Sequence, residues 1–267
     1  MKTTLITGAS SGIGESFARR LAARGDNLLL VARSENKLAS LCNELGRANN
    51  ISAQYVALDL TERDAPQRLF EESQRRGLEV ELLINNAGFG SVGDFARLDL
   101  QRELSMIDLN ITSLVALTHL YLQPMRERKG GAIINVASTA AFQPVPYMTT
   151  YAATKAFVLS FTEALWEENR AHNIKILALC PGVTETNFFA AARMGESPPM
   201  RVAQTPEQVV DTALKGLARG NGHIISGWAN FATTQSERLF PRSLVTRLAG
   251  RMMRSQNNDK SVESRQA

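Results

Sequence analysis

The stretch Thr7–Gly14, with the sequence TGASSGIG, decides the fold. It follows a short apolar run that predicts a β-strand and precedes a periodic segment that predicts a helix. Gly8, Gly12 and Gly14 let the backbone turn sharply and approach a bulky anion, which the free N–H groups at the start of the helix would bind. The turn is therefore a candidate binding site for the phosphates of a nucleotide, and a plain tight turn is the alternative.

The same alternation of strand and helix continues along the chain. Short, almost continuously apolar runs predict strands at Thr3–Thr7, Asn27–Val31, Ser52–Ala57, Leu82–Asn85, Ala132–Val136, Lys175–Cys180 and His223–Ile225. Longer periodic segments predict helices at Gly12–Arg24, Glu35–Arg47, Thr61–Arg76, Leu100–Arg128, Tyr151–Arg170 and Pro206–Arg219. Apolar strands of this kind form parallel sheets covered on both faces. The sequence thus predicts one doubly wound α/β (Rossmann) domain with a seven-stranded parallel sheet, whose ligands bind beyond the carboxyl ends of the strands.

The positive charge of the chain is concentrated at its C-terminal end. From Arg238 onward there are seven basic and two acidic residues, whereas the whole chain of 267 residues has a net charge of +4. Residues 1–237 therefore carry a slight negative charge, which argues against a nucleic-acid-binding surface. We expect a catalytic domain at residues 1–237, followed by a basic extension at residues 238–267 that is part helix and part frayed tail.

Several classes of protein are disfavoured by composition. No apolar run of about 18 or more residues predicts a membrane-spanning helix, and the first residues do not resemble a signal peptide. Cys42 and Cys180 are too few for a disulfide framework, and a cytoplasmic location is expected. The three histidines are not spaced as a ligand cluster, so no metal site is predicted.

The tips of the second and third strands bear on the choice of cofactor. Dinucleotide sites that prefer an unphosphorylated ribose usually carry a carboxylate at the second tip, whereas this chain has Arg33. A planar guanidinium suits a phosphate, which favours NADP(H) over NAD(H), with a solvated surface cation as the alternative. Asp59 and Leu60 are placed to contact adenine, although the Asp59 carboxylate could equally cap a helix starting near Thr61.

Three more motifs follow in order. They are NNAG at Asn85–Gly88, Ser138 followed by YAATK at Tyr151–Lys155, and CPG at Cys180–Gly182. Together with TGASSGIG, they resemble the motifs of the short-chain dehydrogenase/reductase family over roughly residues 3–227. The resemblance implies an oxidoreductase of the NADP-preferring carbonyl reductase or alcohol dehydrogenase type.

Tyr151 and Lys155 are suited to acid–base chemistry by their spacing. A free phenol has a pKa of about 10, which is too high for efficient proton exchange at neutral pH. A lysine at i+4 lies on the same helix face, and its ammonium would favour the phenolate. Tyr151 has this partner and Tyr147 does not. An aromatic helix start with a solvated lysine is the alternative.

The resemblance implies a role for each matching residue. Tyr151 would be the general acid–base, and Lys155 would also hold the nicotinamide ribose. Ser138 would hydrogen-bond the substrate oxygen, and Asn110 would position a water of the proton relay. The residues expected at the cofactor are Gly8, Ser10, Ser11, Gly12, Ile13, Gly14, Arg33, Asp59, Leu60, Asn86, Ala87, Gly88, Tyr151, Lys155, Pro181, Gly182, Val183, Thr184 and Thr186.

Apolar side chains dominate the segments that should surround the substrate. The expected substrate contacts are Ser138, Phe89, Phe142, Tyr147 and Phe188. A carbonyl or alcohol substrate with a lipophilic body is therefore predicted, with the packing of about half of these aromatic rings into the core as the alternative. The loop of residues 184–200 is expected to be a mobile lid.

The C-terminal extension is predicted to contain an amphipathic helix within residues 241–254. Leu244, Leu248 and Met252 recur there at helical spacing among arginines. Docking onto the body or onto a second subunit near the cleft is favoured over binding to an anionic membrane. The chain beyond about Ser255 is expected to be frayed.

The resemblance also implies an assembly. A homodimer built from the helices around residues 100–128 and 151–170 is expected, with a tetramer as the alternative. Two other functions compete with the carbonyl reductase: a non-catalytic dinucleotide-binding sensor or scaffold, and a membrane-associated lipid-pathway reductase for 3-oxoacyl or steroid substrates. The presence of both Tyr151 and Lys155 argues against the first, and the second depends on the tail.

Overall fold

A seven-stranded parallel β-sheet lies at the centre of the fold. The computed structural model describes residues 1–186, 188, 203–237 and 239–263, with side chains as far as Met253. The strands are β1 (Lys2–Thr7), β2 (Leu28–Ala32), β3 (Ala53–Ala57), β4 (Glu79–Asn85), β5 (Gly131–Val136), β6 (Ile174–Cys180) and β7 (His223–Ile225). They pair in the order β3-β2-β1-β4-β5-β6-β7, all in parallel. The predicted doubly wound sheet is confirmed, and its order reverses beside β1.

Helices cover both faces of the sheet. In the described part of the chain they are α1 (Gly12–Ala22), α2 (Glu35–Asn49), α3 (Ala65–Arg75), α4 (Leu100–Ile107), α5 (Leu114–Glu127), α6 (Thr149–Asn169), α7 (Pro206–Arg219), α8 (Trp228–Glu237) and α9 (Arg242–Glu263). A π-helical turn, Asp108–Ser113, joins α4 to α5. Helices α1, α2 and α7 share one apolar core with the sheet, and α3 and α5 share the other.

The strands are continuously apolar because both of their faces are buried. Ile6, Leu28 and Leu30 enter the core beneath α1, α2 and α7. Their neighbours Leu5 and Leu29 point to the opposite face and enter the core beneath α3 and α5. Successive side chains of a strand point to opposite faces, so each strand must supply apolar residues to both cores.

Some predicted helix boundaries are wrong. The helix predicted from Thr61 begins only at Ala65, because Pro66 fits the first turn of a helix but not its interior. The long helix predicted from Leu100 is divided by the π-helical turn. Helix α8 has no counterpart among the predicted elements.

The C-terminal region also differs from expectation. Helix α9 extends to Glu263, well into the segment predicted to be frayed. The division of the chain at residue 237 stays a prediction, and most of the predicted lid, at residues 187 and 189–200, lies outside the described residues. None of the helices in the described part of the chain is both long and apolar enough to cross a membrane.

Candidate active site

A cavity of about 470 Å³ opens beyond the carboxyl ends of the strands. The sheet order places β2 and β3 on one side of β1, and β5 and β6 on the other. Arg33 and Asp59 therefore lie at one end of the cavity, and Ser138 and Tyr151 lie towards the other. The predicted residues that line it are Gly8, Ser10, Ser11, Gly12, Ile13, Arg33, Asp59, Leu60, Asn86, Ala87, Gly88, Phe89, Ser138, Tyr151, Lys155, Pro181, Gly182, Val183, Thr184, Thr186 and Phe188.

Four predicted residues do not line the cavity: Gly14, Asn110, Phe142 and Tyr147. Phe142 packs instead with the apolar cluster around β6 and β7, and its ring meets His223 edge-on at 6.2 Å between centroids. Tyr147 has a left-handed backbone with φ of 66°, and its carbonyl oxygen accepts from the Gly93 N–H at 2.9 Å. Phe142 and Tyr147 therefore lie outside the cavity lining, and their predicted substrate contacts stay predictions.

The glycine-rich turn has the geometry of a phosphate cradle. Gly8 and Gly12 have φ values of +66° and +58°, which residues with a Cβ rarely adopt. A Cβ on Gly14 would lie 2.3 Å from the Gly8 carbonyl oxygen, so this glycine allows helix α1 to pack against the turn. The Ser11 side chain makes no capping hydrogen bond, which leaves the donors at the start of α1 for an anion. The turn therefore fits the phosphates of a dinucleotide.

A hydrogen-bond network locks this turn to the end of β4. The Thr7 hydroxyl accepts from the backbone N–H groups of Asn86 and Ala87, each at 3.0 Å, and donates to the Ile84 carbonyl oxygen at 3.3 Å. The Asn86 amide donates in turn to the carbonyl oxygens of Thr7 and Gly8. Asn86 was predicted at the cofactor, whereas Thr7 was not, although its position at the end of the first strand could have indicated it.

Arg33 and Asp59 face each other at the far end of the cavity. Their nearest charged atoms, Nη1 and Oδ2, are 3.8 Å apart, and the Arg33 side chain is 77% exposed. The other carboxylate oxygen of Asp59 accepts from the Thr61 N–H at 3.0 Å and from the Thr61 hydroxyl at 2.8 Å. Asp59 therefore caps a turn at Thr61 and not a helix, since α3 begins only at Ala65. It also lines the cavity, and its predicted contact with adenine stays a prediction. Arg33 keeps donors accessible to a ligand.

Ser138, Tyr151 and Lys155 converge beyond the end of β5. The Lys155 ammonium donates to the carbonyl oxygen of Val136, the last residue of β5, at 2.7 Å. It lies 5.8 Å from the centroid of the Tyr151 ring. The Ser138 hydroxyl accepts from the Ala140 N–H at 3.1 Å and also interacts with the Tyr151 phenol. The end of β5 thus holds both the hydroxyl and the lysine close to the phenol.

Burial is the largest influence on the pKa values of Tyr151 and Lys155. It raises the pKa of Tyr151 to about 12, and the interaction with Ser138 opposes this rise. Burial likewise lowers the pKa of Lys155 to about 8, since the ammonium is removed from water. The pKa of Tyr151 is thus raised by burial in this structure, whereas the spacing of Lys155 predicts that it is lowered. Tyr151 is a protonated phenol near neutral pH and is suited to donate its proton.

Asn110 acts on the cavity through its neighbour Phe89. It lies in the π-helical turn, a feature frequent at functional sites, and is 1% exposed. Its amide oxygen accepts from the Phe89 N–H at 3.2 Å, and its amide nitrogen donates to the Phe89 carbonyl oxygen at 3.1 Å. The same nitrogen is 3.1 Å from the Thr154 hydroxyl. The side chain therefore holds the Phe89 backbone in place, and its predicted part in a proton relay stays a prediction.

The end of the cavity nearest Tyr151 is apolar. Met148 and Tyr151 belong to one buried cluster, against which Phe89 and Phe188 pack. The rings of Tyr151 and Phe188 have their centroids 5.3 Å apart. Such walls suit an apolar group attached to the reacting carbon, because they offer little to hydrogen-bond a sugar or a charged acid.

Part of the cavity lining was not predicted from the sequence. Most of these residues adjoin predicted ones at the strand ends, which was the signal that could have found them. They are Val31, Leu58, Thr61, Leu109, Val136 and Ala137.

The sequence matches a family model described as short chain dehydrogenase over residues 2–197. Among curated proteins, it is 34% identical over 235 residues to a very-long-chain 3-oxoacyl-CoA reductase of Macaca fascicularis. That match covers 84% of this chain and 73% of the relative.

Two solved structures have the same fold. A short-chain dehydrogenase from Sphingobium yanoikuyae in complex with NADPH has a TM-score of 0.80 at 31% identity, covering 90% of this chain and 94% of that one. A bulky-bulky ketone specific alcohol dehydrogenase from Comamonas testosteroni has a TM-score of 0.76 at 30% identity, covering 90% and 92%.

Proposed function

Since the chain belongs to the short-chain dehydrogenase/reductase family of oxidoreductases, we propose that it transfers a hydride between NADP(H) and a lipophilic ketone or secondary alcohol. The observation that carries the proposal is the buried Tyr151 phenol, which lies between Ser138, Lys155 and an apolar wall. NADPH supplies the hydride when bound; the residues of the chain supply position and the proton.

Tyr151 donates the proton to the carbonyl oxygen during reduction. Its raised pKa keeps the phenol protonated at neutral pH, and the developing alkoxide is basic enough to take the proton. The Ser138 hydroxyl lies beside the phenol and stabilises the charge that develops on the same oxygen. Lys155 orients the ribose side of the site from its anchor on Val136.

The preference for NADP(H) rests on the strand tip at Arg33. Its guanidinium and the Ser34 hydroxyl line the cavity where a ribose phosphate would lie. The structural relative from Sphingobium yanoikuyae contains NADPH, which supports the same choice.

The lipophilic character of the substrate rests on Phe89, Met148 and Phe188. Long acyl chains and bulky ketones appear in the names of the relatives, and both are compatible with such a wall. A direct test compares turnover of alkyl and aromatic ketones with that of keto sugars, using NADPH and then NADH. We expect turnover of the apolar ketones with NADPH, and a clear preference for keto sugars would contradict the proposal.

A homodimer is part of the proposal. Leu100 and Leu104 on α4 and Phe157 on α6 are large apolar side chains that are exposed in the monomer. They lie on the helices expected to form the dimer interface. Sedimentation of the wild type and of Leu104→Glu tests this: the proposal predicts a dimer that the charge dissociates, and a monomeric wild type would contradict it.

We also propose a cytoplasmic location, which is supported by the two free, buried cysteines. A reductase bound to a lipid surface is the second candidate, because Leu244, Leu248 and Met252 form an exposed apolar ridge on α9 beside Arg247 and Arg251. Co-sedimentation with anionic vesicles distinguishes the two. Equal sedimentation of the wild type and Leu248→Glu would remove the membrane candidate.

A further inference from the structure

Helix α9 contacts the body through a face that its sequence pattern does not indicate. The leucines at 244 and 248 point to solvent, whereas Gly250 is buried. A Cβ on Gly250 would lie 3.3 Å from Cγ of Pro146. The absence of a side chain at this position therefore lets α9 approach the loop that precedes α6 closely.

Met253 carries this contact to the substrate end of the site. Three residues beyond Gly250, it lies on the same side of the helix. It packs against the buried cluster that contains Met148 and Tyr151, where Phe89 and Phe188 also pack. These four residues line the cavity, so Met253 of α9 packs against the cluster that forms the apolar end of the site.

We propose that Met253 determines which substrates fit, by limiting the room for the apolar body attached to the reacting carbonyl. This inference rests on the proposed function and extends it to the basic C-terminal helix. A shorter side chain at 253 would open space beside the cluster that contains Met148 and Tyr151, and a bulkier one would fill it. Each additional methylene group that becomes buried is worth about a fourfold gain in binding.

The test uses three full-length variants and a series of ketones of increasing chain length. Met253→Ala is expected to raise the ratio of kcat/KM for long over short ketones by about tenfold or more, and Met253→Phe is expected to lower it. Met252→Ala is the matched control. The side chain of Met252 is 65% exposed, so the kcat/KM ratio of this variant should stay at the wild-type value. The ratio of the kcat/KM values of two substrates, measured on one preparation, does not depend on the fraction of the enzyme that is folded.

A second readout separates this inference from the proposed function. Dissociation constants of the same ketones are measured with the complex of each variant and NADP⁺, in which no reduction occurs. If the wild type binds ketones without turning them over, the proposed reduction fails, and the affinities still test Met253. Selectivity in Met253→Ala and Met253→Phe that equals that of Met252→Ala in both readouts would overturn the inference.

Discussion

The ammonium of Lys155 donates to the carbonyl oxygen of Val136 over 2.7 Å. The last residue of β5 therefore holds the lysine of α6, and the same strand end presents Ser138 two residues later. One consequence concerns stability, because this bond does not fully offset the burial of the ammonium, whose pKa falls to about 8.

Replacement of Lys155 by methionine tests how much the burial of the ammonium lowers the free energy of unfolding. A pKa of about 8 in the folded protein, against about 10.4 in the unfolded chain, means that the unfolded state binds more protons between these values. Wild-type stability should therefore rise with pH in this window, by on the order of 1–2 kcal/mol between about pH 7.5 and 9.5. The stability of Lys155→Met should not show this rise between the two pH values.

The measurement is urea unfolding of both proteins at the two pH values. The difference between wild type and variant isolates Lys155 from the other titrating groups. An identical pH dependence in the two proteins would show that the ammonium is not destabilised by burial.

Arg33→Ala tests the preference for NADPH. Loss of a charged hydrogen-bond donor to phosphate should weaken NADPH binding by about 10- to 100-fold, while NADH binding changes little. The control is Arg75→Ala, which removes an arginine of similar exposure from the end of α3. Fluorescence titration with both cofactors gives the affinities, and parallel losses for NADH and NADPH would contradict the assignment.

Gly14→Ala tests the phosphate cradle formed by the glycine-rich turn Thr7–Gly14. A Cβ there would lie 2.3 Å from the Gly8 carbonyl oxygen, so the turn must move, at a cost of about 1–3 kcal/mol in stability and with weaker NADPH binding. Gly46→Ala is a matched control, since this residue of α2 has its nearest neighbouring atom 3.4 Å from the new Cβ. Thermal unfolding should show a loss for the first variant and no loss for the second.

Asn110→Ala tests whether this side chain acts through Phe89. Partly buried N–H and C=O groups of the Phe89 backbone lose their partner, and the free energy of unfolding should fall by about 1–3 kcal/mol. Asn135→Ala removes another buried amide, which bridges Asn85 and Thr162, and should cost a similar amount. Only the Asn110 variant should raise KM for the ketone, because only Asn110 holds a residue of the substrate wall. The same KM for the ketone in Asn110→Ala and Asn135→Ala would contradict the positioning role of Asn110.

The sequence was sufficient to predict a parallel sheet of seven strands and most of the residues that line the cavity at its edge. Strand tips converge in such a fold, so short motifs after each strand identify most of the cavity. Spacing also separated Tyr151 from Tyr147, because a helix brings residues at i and i+4 to one face.

Contacts across the fold were not predictable in the same way. Periodicity does not reveal which surface a helix meets, so the approach of Gly250 to Pro146 and the packing of Met253 were missed. Nor does the position of Phe142 after β5 reveal that its ring contacts His223, which lies far along the chain. The Tyr151 pKa depends on burial, which no local pattern reports.

The central claim is that Tyr151 gives its proton to a ketone reduced with NADPH. The most direct measurement is NADPH oxidation by the wild type and Tyr151→Phe with an apolar ketone, together with the NADPH affinity of each. We expect wild-type turnover, a loss of about 10²-fold or more in kcat for the variant, and unchanged NADPH binding. Full turnover by Tyr151→Phe would contradict the account.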